Sequence, residues 1–281
     1  MFDGLMDRLH TINRRLRKIE SIINVDTPVK APARWQAGVD LGTADLMVVV
    51  VDQRGEPVAA FMEWAEVVRD GVALNYWGAV QIVKQLIVRA EQKLNVKIHQ
   101  AVTSFPPGTD PQIARNVLEA AGLEVTAIID EPSSVVHLLG IEDGAVVDIG
   151  GGTTGIAVSR GGRVVYSADE PTGGHHVSLT LAGNRKISLK EAEELKRGPQ
   201  AERFAPVVLP VFEKMAEIIR RHLDGRDARR VYLSGGTFCF PGSEQIFARE
   251  LPNREIIKPA NPLYLTPLAI AAYGLTEIEY E

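Results

Sequence analysis

Two stretches decide how this chain folds: Gly38-Val39-Asp40-Leu41-Gly42-Thr43 and Val146-Val147-Asp148-Ile149-Gly150-Gly151-Gly152-Thr153. Each starts with apolar residues that run into an Asp-apolar-Gly turn carrying a Thr. The apolar run Leu46 to Val51 and then Arg54-Gly55-Glu56-Pro57-Val58 follow the first. Ile156 to Ser159 and then Gly161-Gly162-Arg163-Val164-Val165 follow the second. Strand, acidic Gly turn, strand, turn, strand is therefore written twice. Repetition at long period implies two similar halves. Two lobes facing across a cleft bring the two Asp-Gly turns together.

The chemistry of such a meeting suits a nucleoside triphosphate. Gly in a tight turn lets backbone N–H groups approach phosphate oxygens with no Cβ in the way. The hydroxyls of Thr43 and Thr153 add donors. A carboxylate at each strand end, Asp40 and Asp148, can hold the water shell of Mg²⁺, which prefers few protein ligands and several waters. Gly42, Gly150, Gly151 and Gly152 then form the cradle, one turn from each lobe. Read singly, either turn is an ordinary Gly hairpin; the pairing carries the functional reading. A third Gly turn, Ser234-Gly235-Gly236-Thr237, follows the apolar Val231-Tyr232-Leu233 and would sit beside the nucleoside in such a cleft.

Outward from the turns, strands alternate with helices. Pro57 to Trp64 read as a strand, and Trp77 to Leu94 have helical spacing. Ile98 to Phe105 read as a strand ending in Pro106-Pro107-Gly108. Asp110 caps a helix with Pro111 in its first turn and Gly122 beyond its end. Val125 to Ile129 form a strand, Glu131 to Leu139 a short helix ending before Gly140, and Val164 to Ala168 a strand. Helices fill most of 175–224, Arg230 to Leu233 form a late strand, and a helix around Leu268 to Tyr273 closes the chain. The pattern is α/β with mixed sheets.

The first segment stands apart. Phe2, Leu5, Leu9, Ile12, Leu16, Ile19 and Ile23 mark one face of an amphipathic helix, with Arg14, Arg15, Arg17 and Lys18 on its polar side. The Pro-rich run 27–33 follows as an extended linker. Two readings stand side by side: a docking element on a tether, or a helix packed on the body. As a free stripe it ranks partner docking first, self-association second and membrane contact third, since Asp3, Asp7 and Glu20 offset the basic cluster.

Composition narrows the classes. Hydrophobic residues make up 45% and charged residues 24% of 281, ordinary for a globular chain. A net charge of −5 gives no electrostatic support for a nucleic-acid role. The single cysteine, Cys239, excludes a disulfide framework and a Cys-based zinc site, and no HExxH occurs. No apolar run approaches a membrane span, and charges at Asp3, Asp7 and Arg8 are unlike a signal peptide, so the chain is expected in the cytoplasm. Gly150 to Gly155 formally match GxGxxG, with Asp169 near the spacing of a ribose-binding acid. A dinucleotide fold needs a helix at that loop, and Ile156-Ala157-Val158-Ser159 reads as strand. No GxxxxGK[ST] occurs.

These residues resemble the actin, sugar-kinase and DnaK-type chaperone superfamily. Asp40 to Thr43 resemble its first phosphate motif, Asp148 to Thr153 the second, and Gly235-Gly236-Thr237 the adenosine motif. Ile129-Asp130-Glu131-Pro132-Ser133-Ser134 resembles the connecting helix of DnaK-type chaperones and of the bacterial actin MreB, and Arg69-Asp70-Gly71-Val72 also resembles MreB. Glu193, Lys196 and Arg197 match the Glu-x-x-Lys-Arg helix that contacts the nucleoside in DnaK-type chaperones; a surface ion pair is the other reading of Glu193 and Lys196. Within the superfamily the chain is most similar to the ethanolamine-utilisation J family, over about residues 36–275. Residues 68–71, 103–111, 166–170, 172–176 and 180–185 carry that likeness.

The resemblance implies an α/β, actin-like ATPase (ribonuclease H-like) fold: two lobes, duplicated mixed sheets and reduced outer subdomains. It divides the chain into 1–34, a helix and linker; 35–147, a first lobe; 148–260, a second lobe; and 261–281, a helix returning to the first. It implies ATP or ADP with Mg²⁺ as cofactors. Backbone amides of the turns, with Thr43 and Thr153, would hold phosphates; Asp40 and Asp148 would hold hydrated Mg²⁺; Glu131 would orient the attacking water, its plainer reading being a helix N-terminal carboxylate. It implies a slow chaperone-like ATPase or assembly factor of ethanolamine utilisation, with that system's enzymes or the shell proteins of its bacterial microcompartment as partners. A filament-forming actin and a small-molecule kinase are the rivals. Set against the chaperones, no peptide-binding domain is expected, Cys239 stands where they place an Arg, Leu268 replaces an acidic residue, and no catalytic Lys is placed.

Overall fold

A computed structural model describes residues 2–65, 68, 69, 72, 73 and 75–278. The Asp70-Gly71 pair of the MreB-like stretch lies outside them. The first half runs α1 (Phe2–Ile22), β1 (Trp35–Leu41), β2 (Asp45–Asp52), β3 (Pro57–Trp64), a small hairpin of β4 (Val68–Arg69) and β5 (Val72–Ala73), α2 (Tyr76–Leu94), β6 (Gln100–Phe105), α3 (Pro111–Ala120), β7 (Glu124–Asp130) and α4 (Glu131–Leu139). The second half runs β8 (Gly144–Ile149), β9 (Thr154–Arg160), β10 (Arg163–Glu170), α5 (Gly174–Arg185), α6 (Leu189–Arg197), α7 (Ala205–Leu223), β11 (Arg230–Ser234), α8 (Ser243–Glu250), β12 (Glu255–Ile257) and α9 (Leu265–Ile278).

The repeat read from the sequence is a repeat of sheets. One sheet has the order β3-β2-β1-β6-β7, the other β10-β9-β8-β11-β12. In each, three antiparallel strands are followed by two that pair in parallel. The turn between β1 and β2 and the turn between β8 and β9 carry the two Asp-Gly motifs. The run Leu46-Met47-Val48-Val49-Val50-Val51 is continuous rather than alternating because β2 is covered on both faces. Leu46, Val48 and Val50 pack under α2 and α3, while Met47, Val49 and Val51 face the centre of the molecule.

That centre is a layer of helices between the sheets. Val135, Val136 and Leu139 of α4 and Leu265, Leu268, Ala269 and Ala271 of α9 bury there, against Val146 and Ala157 of the second sheet. The local signals for α4 are strong. Asp130 accepts from Ser133 N at 3.1 Å, Pro132 fills the first turn, and Gly140 closes the helix at φ 58°. Beneath the second sheet, α5, α6, α7 and α8 enclose a separate core around Phe212, Phe238 and Phe247.

The first helix is packed, not tethered. Ile12, Leu16 and Ile19 are fully buried in the central layer with Met47, Ala60 and Val135. Arg14 and Arg15 pair with Glu56 at 2.6 and 2.9 Å. Asn13 accepts from Ala260 N at 2.8 Å. The linker is tied as well: Val29 N donates to Lys93 O at 2.9 Å, and Lys93 Nζ to Val25 O at 2.6 Å. Of the two readings of this helix, the structure shows the one in which it packs on the body. A helical stripe shows that one face is apolar, not what covers it, and here this chain's own body covers it.

Candidate functional site

The two Asp-Gly turns touch. A Cβ on Gly151 would stand 2.7 Å from the Ala44 Cβ, and one on Gly152 2.8 Å from the Thr43 methyl. Glycine here is what lets the lobes meet. The third Gly turn locks onto the second hairpin. Gly235 lies at φ +95°, and a Cβ there would come 2.3 Å from Ile149 O. The Thr237 hydroxyl donates to Gly150 O at 2.8 Å, and Gly150 N donates to Thr153 O at 3.0 Å. Gly150 therefore holds the turn together with both of its backbone groups, and the N-terminus of α5 is anchored to the same loop through Gly174 N and His175 N, at 2.9 and 2.8 Å.

Between the turns lies a cavity of about 50 Å³ lined by Asp40, Gly42, Thr43, Asp45, Glu131, Asp148, Gly151, Thr153 and Gly236, with no lysine or arginine among the described residues of its lining. It has room for a few waters, not for a triphosphate. Asp40 and Asp148 are the next-to-last residues of β1 and β8, and Glu131 opens α4, so three elements bring carboxylates to one cavity. Burial pushes the Asp40 carboxyl well above the usual range, and repulsion from Asp45 and Asp148 adds to it. Burial likewise raises Glu131, with Asp40, Asp148 and Asp169 adding repulsion. Asp148 is raised by burial too, opposed by hydrogen bonds from Thr266 and Ser234. Asp45 is pushed up to about 7 by burial, the Arg197 charge opposing and Asp148 adding.

Crowded carboxylates are held together by protons or by a cation. No three His, Cys, Asp or Glu among the described residues are placed to chelate a metal directly. Binding through water, as Mg²⁺ prefers, fits this donor set better.

Next to the acidic cavity is a larger one of about 330 Å³, within the range of small-ligand sites. Glu193, Lys196 and Arg197 of α6 line it together with Gly236, Thr237 and Cys239. Glu193 and Lys196 are held on this cavity's wall. Lys196 Nζ lies 2.7 Å from Glu193 Oε2 and donates to Gly174 O at 3.0 Å, and its side chain is only 12% exposed. Ser178 also donates to Glu193. This is a half-buried brace on a cavity wall, not a solvated pair. A third cavity, about 690 Å³, opens on the other side of α6 and is lined by Thr43, Gly152, His175, His176 and Lys190.

Four participants escaped the sequence reading. Asp45, in the first turn's descending strand, lines two cavities. Thr266 on α9 donates to Asp148 and bonds Ser234 at 2.8 Å. Ser104 on β6 reaches Asp40 at 3.4 Å. Trp64 lies under the Arg197 guanidinium at 4.0 Å. Asp45 was legible, being another carboxylate in a turn already singled out; the others depend on contacts between distant segments. Leu268, which stands where the chaperones have an acid, is fully buried in the central layer, so the helix addresses the site through Thr266 instead. The GxGxxG match is a strand hairpin, Ile149 pairing with Thr154, which removes the dinucleotide reading.

Two sheets of one topology, each presenting an acidic Gly turn to a shared cleft, define an actin-like ATPase fold. Residues 145–269 match the Cell division protein FtsA family. MreB5 of Spiroplasma citri, in a structure with ADP, superposes with a TM-score of 0.67 at 18% identity, covering 89% of this chain and 99% of that one. The ethanolamine utilization protein EutJ of Salmonella typhimurium is 49% identical over 265 residues, 94% of each chain. The crystal structure of EutJ from Carboxydothermus hydrogenoformans aligns with a TM-score of 0.90 at 42% identity, over 95% of this chain and 99% of that one. The chain belongs to the family of the ethanolamine utilization protein EutJ.

Proposed function

We propose that this chain binds ATP and ADP with Mg²⁺ in its cleft and serves ethanolamine utilisation as a chaperone-like ATPase or assembly factor for the bacterial microcompartment. The observation that carries the nucleotide reading is the convergence of Asp40, Asp148 and Glu131 with both Gly turns on one small cavity. The adjoining cavity of nucleoside size supports it, as does the ADP named with the structurally similar MreB5. Family membership supports the biological setting. The partners proposed are ethanolamine-utilising enzymes or shell proteins.

When bound, Mg²⁺ supplies positive charge against phosphate oxygens. Asp40 and Asp148 would hold the hydrated ion, one from each lobe. The turns part to admit phosphates, since they now touch, and their N–H groups with Thr43 and Thr153 then bind the oxygens. Glu131 accepts a hydrogen bond from the attacking water and aims it. Such a site acts by position and charge rather than by a covalent intermediate. Calorimetry with ATP and with ADP, in Mg²⁺ and in EDTA, tests the reading. Asp148→Asn, which keeps the shape but not the charge, should lose Mg²⁺-dependent binding; equal affinity in the variant overturns it. A pull-down from cells grown on ethanolamine, with and without nucleotide, tests the partners: capture that ignores nucleotide argues against a switched assembly factor.

A further inference from the structure

The cavity of about 330 Å³ is walled almost entirely by the second lobe, from Gly150 onwards. The first lobe contributes Ala44 and Asp45 of the turn, and Trp64. Trp64 is the last residue of β3, opposite Asp45 in the strand register. Its indole is 44% exposed and carries the Arg197 guanidinium at 4.0 Å. Arg197 comes from α6 across the cleft, with its Nε 3.4 Å from Glu193 Oε1. The pair lines both the cavity of about 330 Å³ and that of about 690 Å³, and so forms part of the wall between them.

We propose that Trp64 is a nucleotide-positioning residue that acts through Arg197, forming a latch between the lobes which makes retention of the base depend on cleft closure. This rests on the nucleotide reading above. A pocket built by one lobe holds its ligand at any cleft angle. A pocket with one wall across the hinge is complete only when closed. A guanidinium plane is a surface on which a base or an indole stacks. Without Trp64, Arg197 keeps Glu193 but loses the surface that sets the plane of its guanidinium, and the base loses a wall. The phosphates keep their direct contacts with both Gly turns, so they lose less than the base does.

The test uses release of N-methylanthraniloyl-ADP with Mg²⁺ by stopped flow, alongside calorimetric binding of inorganic pyrophosphate with Mg²⁺, which has no base. Trp64→Ala should release the fluorescent ADP about tenfold faster, the equivalent of about 1.4 kcal/mol, with pyrophosphate affinity lowered by about threefold at most. Trp64→Leu, which fills the strand end without a π face, should behave the same. Trp64→Phe should restore most of the retention. ADP release at the unmutated rate in the Ala and Leu variants overturns the latch and leaves the nucleotide reading standing. Equal losses for ADP and pyrophosphate also overturn it, because Trp64 would then serve the whole fold. An unmutated protein that binds neither ligand overturns the nucleotide reading itself, and the latch with it.

Discussion

Gly152 of the second turn lies against Thr43 of the first, so closely that a Cβ on Gly152 would stand 2.8 Å from the Thr43 methyl carbon. The contact joins the lobes at the point where phosphates are proposed to enter, so it is a property of the closed cleft. Gly152 is not in the left-handed region, and alanine fits its backbone. Gly152→Ala should therefore fold normally but disfavour the touching arrangement, from which the turns must part to admit phosphates. Overpacking a close contact costs about 1–3 kcal/mol, which lowers the weight of the touching arrangement against the parted one by about 5- to 150-fold. Affinity for Mg²⁺-ADP should hold or rise, while the melting temperature of the empty protein falls by about 2–4 °C for each kcal/mol lost. A tenfold or greater loss of Mg²⁺-ADP affinity would show instead that this contact belongs to the nucleotide-bound cleft.

The carboxylates of the small cavity should make stability depend on pH. Asp40, Asp45, Glu131 and Asp148 all have folded-state values above those of free carboxyls. Between the unfolded and folded values the native state keeps protons that the unfolded state has released, so unfolding free energy falls as pH rises. The window opens near the ordinary carboxylate value of about 4, and Asp45 loses its proton at about 7. The melting temperature of the metal-free protein should fall from about pH 5 to about pH 8. Asp45→Asn should flatten the upper part of that fall, and added Mg²⁺ at the alkaline end should reverse some of it by replacing the lost protons. A melting temperature that rises with pH in EDTA contradicts the electrostatics described here.

The duplicated sheets were legible because an Asp-Gly turn between apolar strands is local chemistry, and Val147-Asp148-Ile149-Gly150 spells it as openly as Val39-Asp40-Leu41-Gly42. The ends of α4, Pro132 in its first turn and Gly140 past its last, were legible for the same reason. What covers the Ile12-Leu16-Ile19 stripe was not, since amphipathic spacing names no partner. Nor were Thr266 against Asp148 or Trp64 against Arg197, which join residues 118 and 133 positions apart, and no local pattern reports a contact of that separation. The β11–β12 edge was missed too; Glu255–Ile257 is too short to show a period.

The first helix should behave as core. Leu16 is fully buried among residues of the central layer, which both sheets share. Leu16→Ala should cost about 2–5 kcal/mol of unfolding free energy, the usual range for a buried leucine, read from urea titration. Deleting residues 1–33 should give an aggregation-prone protein, because it uncovers Met47, Ala60 and Val135 together. A truncated chain that stays monomeric with an unchanged urea midpoint would return the helix to the role of a detachable docking element.

Glu131 separates binding from hydrolysis. It opens α4 and shares the small cavity with Asp40 and Asp148, whose charges, after burial, help hold its carboxyl above the ordinary range. Replacing it by glutamine removes one negative charge from a cluster that must face phosphates. Affinity for Mg²⁺-ADP should then hold or improve, within about threefold. Hydrolysis should slow by about 100-fold or more, the usual contribution of a positioned base, because an amide draws a water proton far more weakly than a carboxylate. Calorimetry and single-turnover assays on the same preparation read the two effects. If Glu131→Gln loses binding as Asp148→Asn is expected to, Glu131 is a cation anchor and another group aims the water. If the unmutated protein binds ATP but shows no turnover, the acidic cavity serves a nucleotide-binding module, and the conformations it selects, rather than hydrolysis, carry the signal.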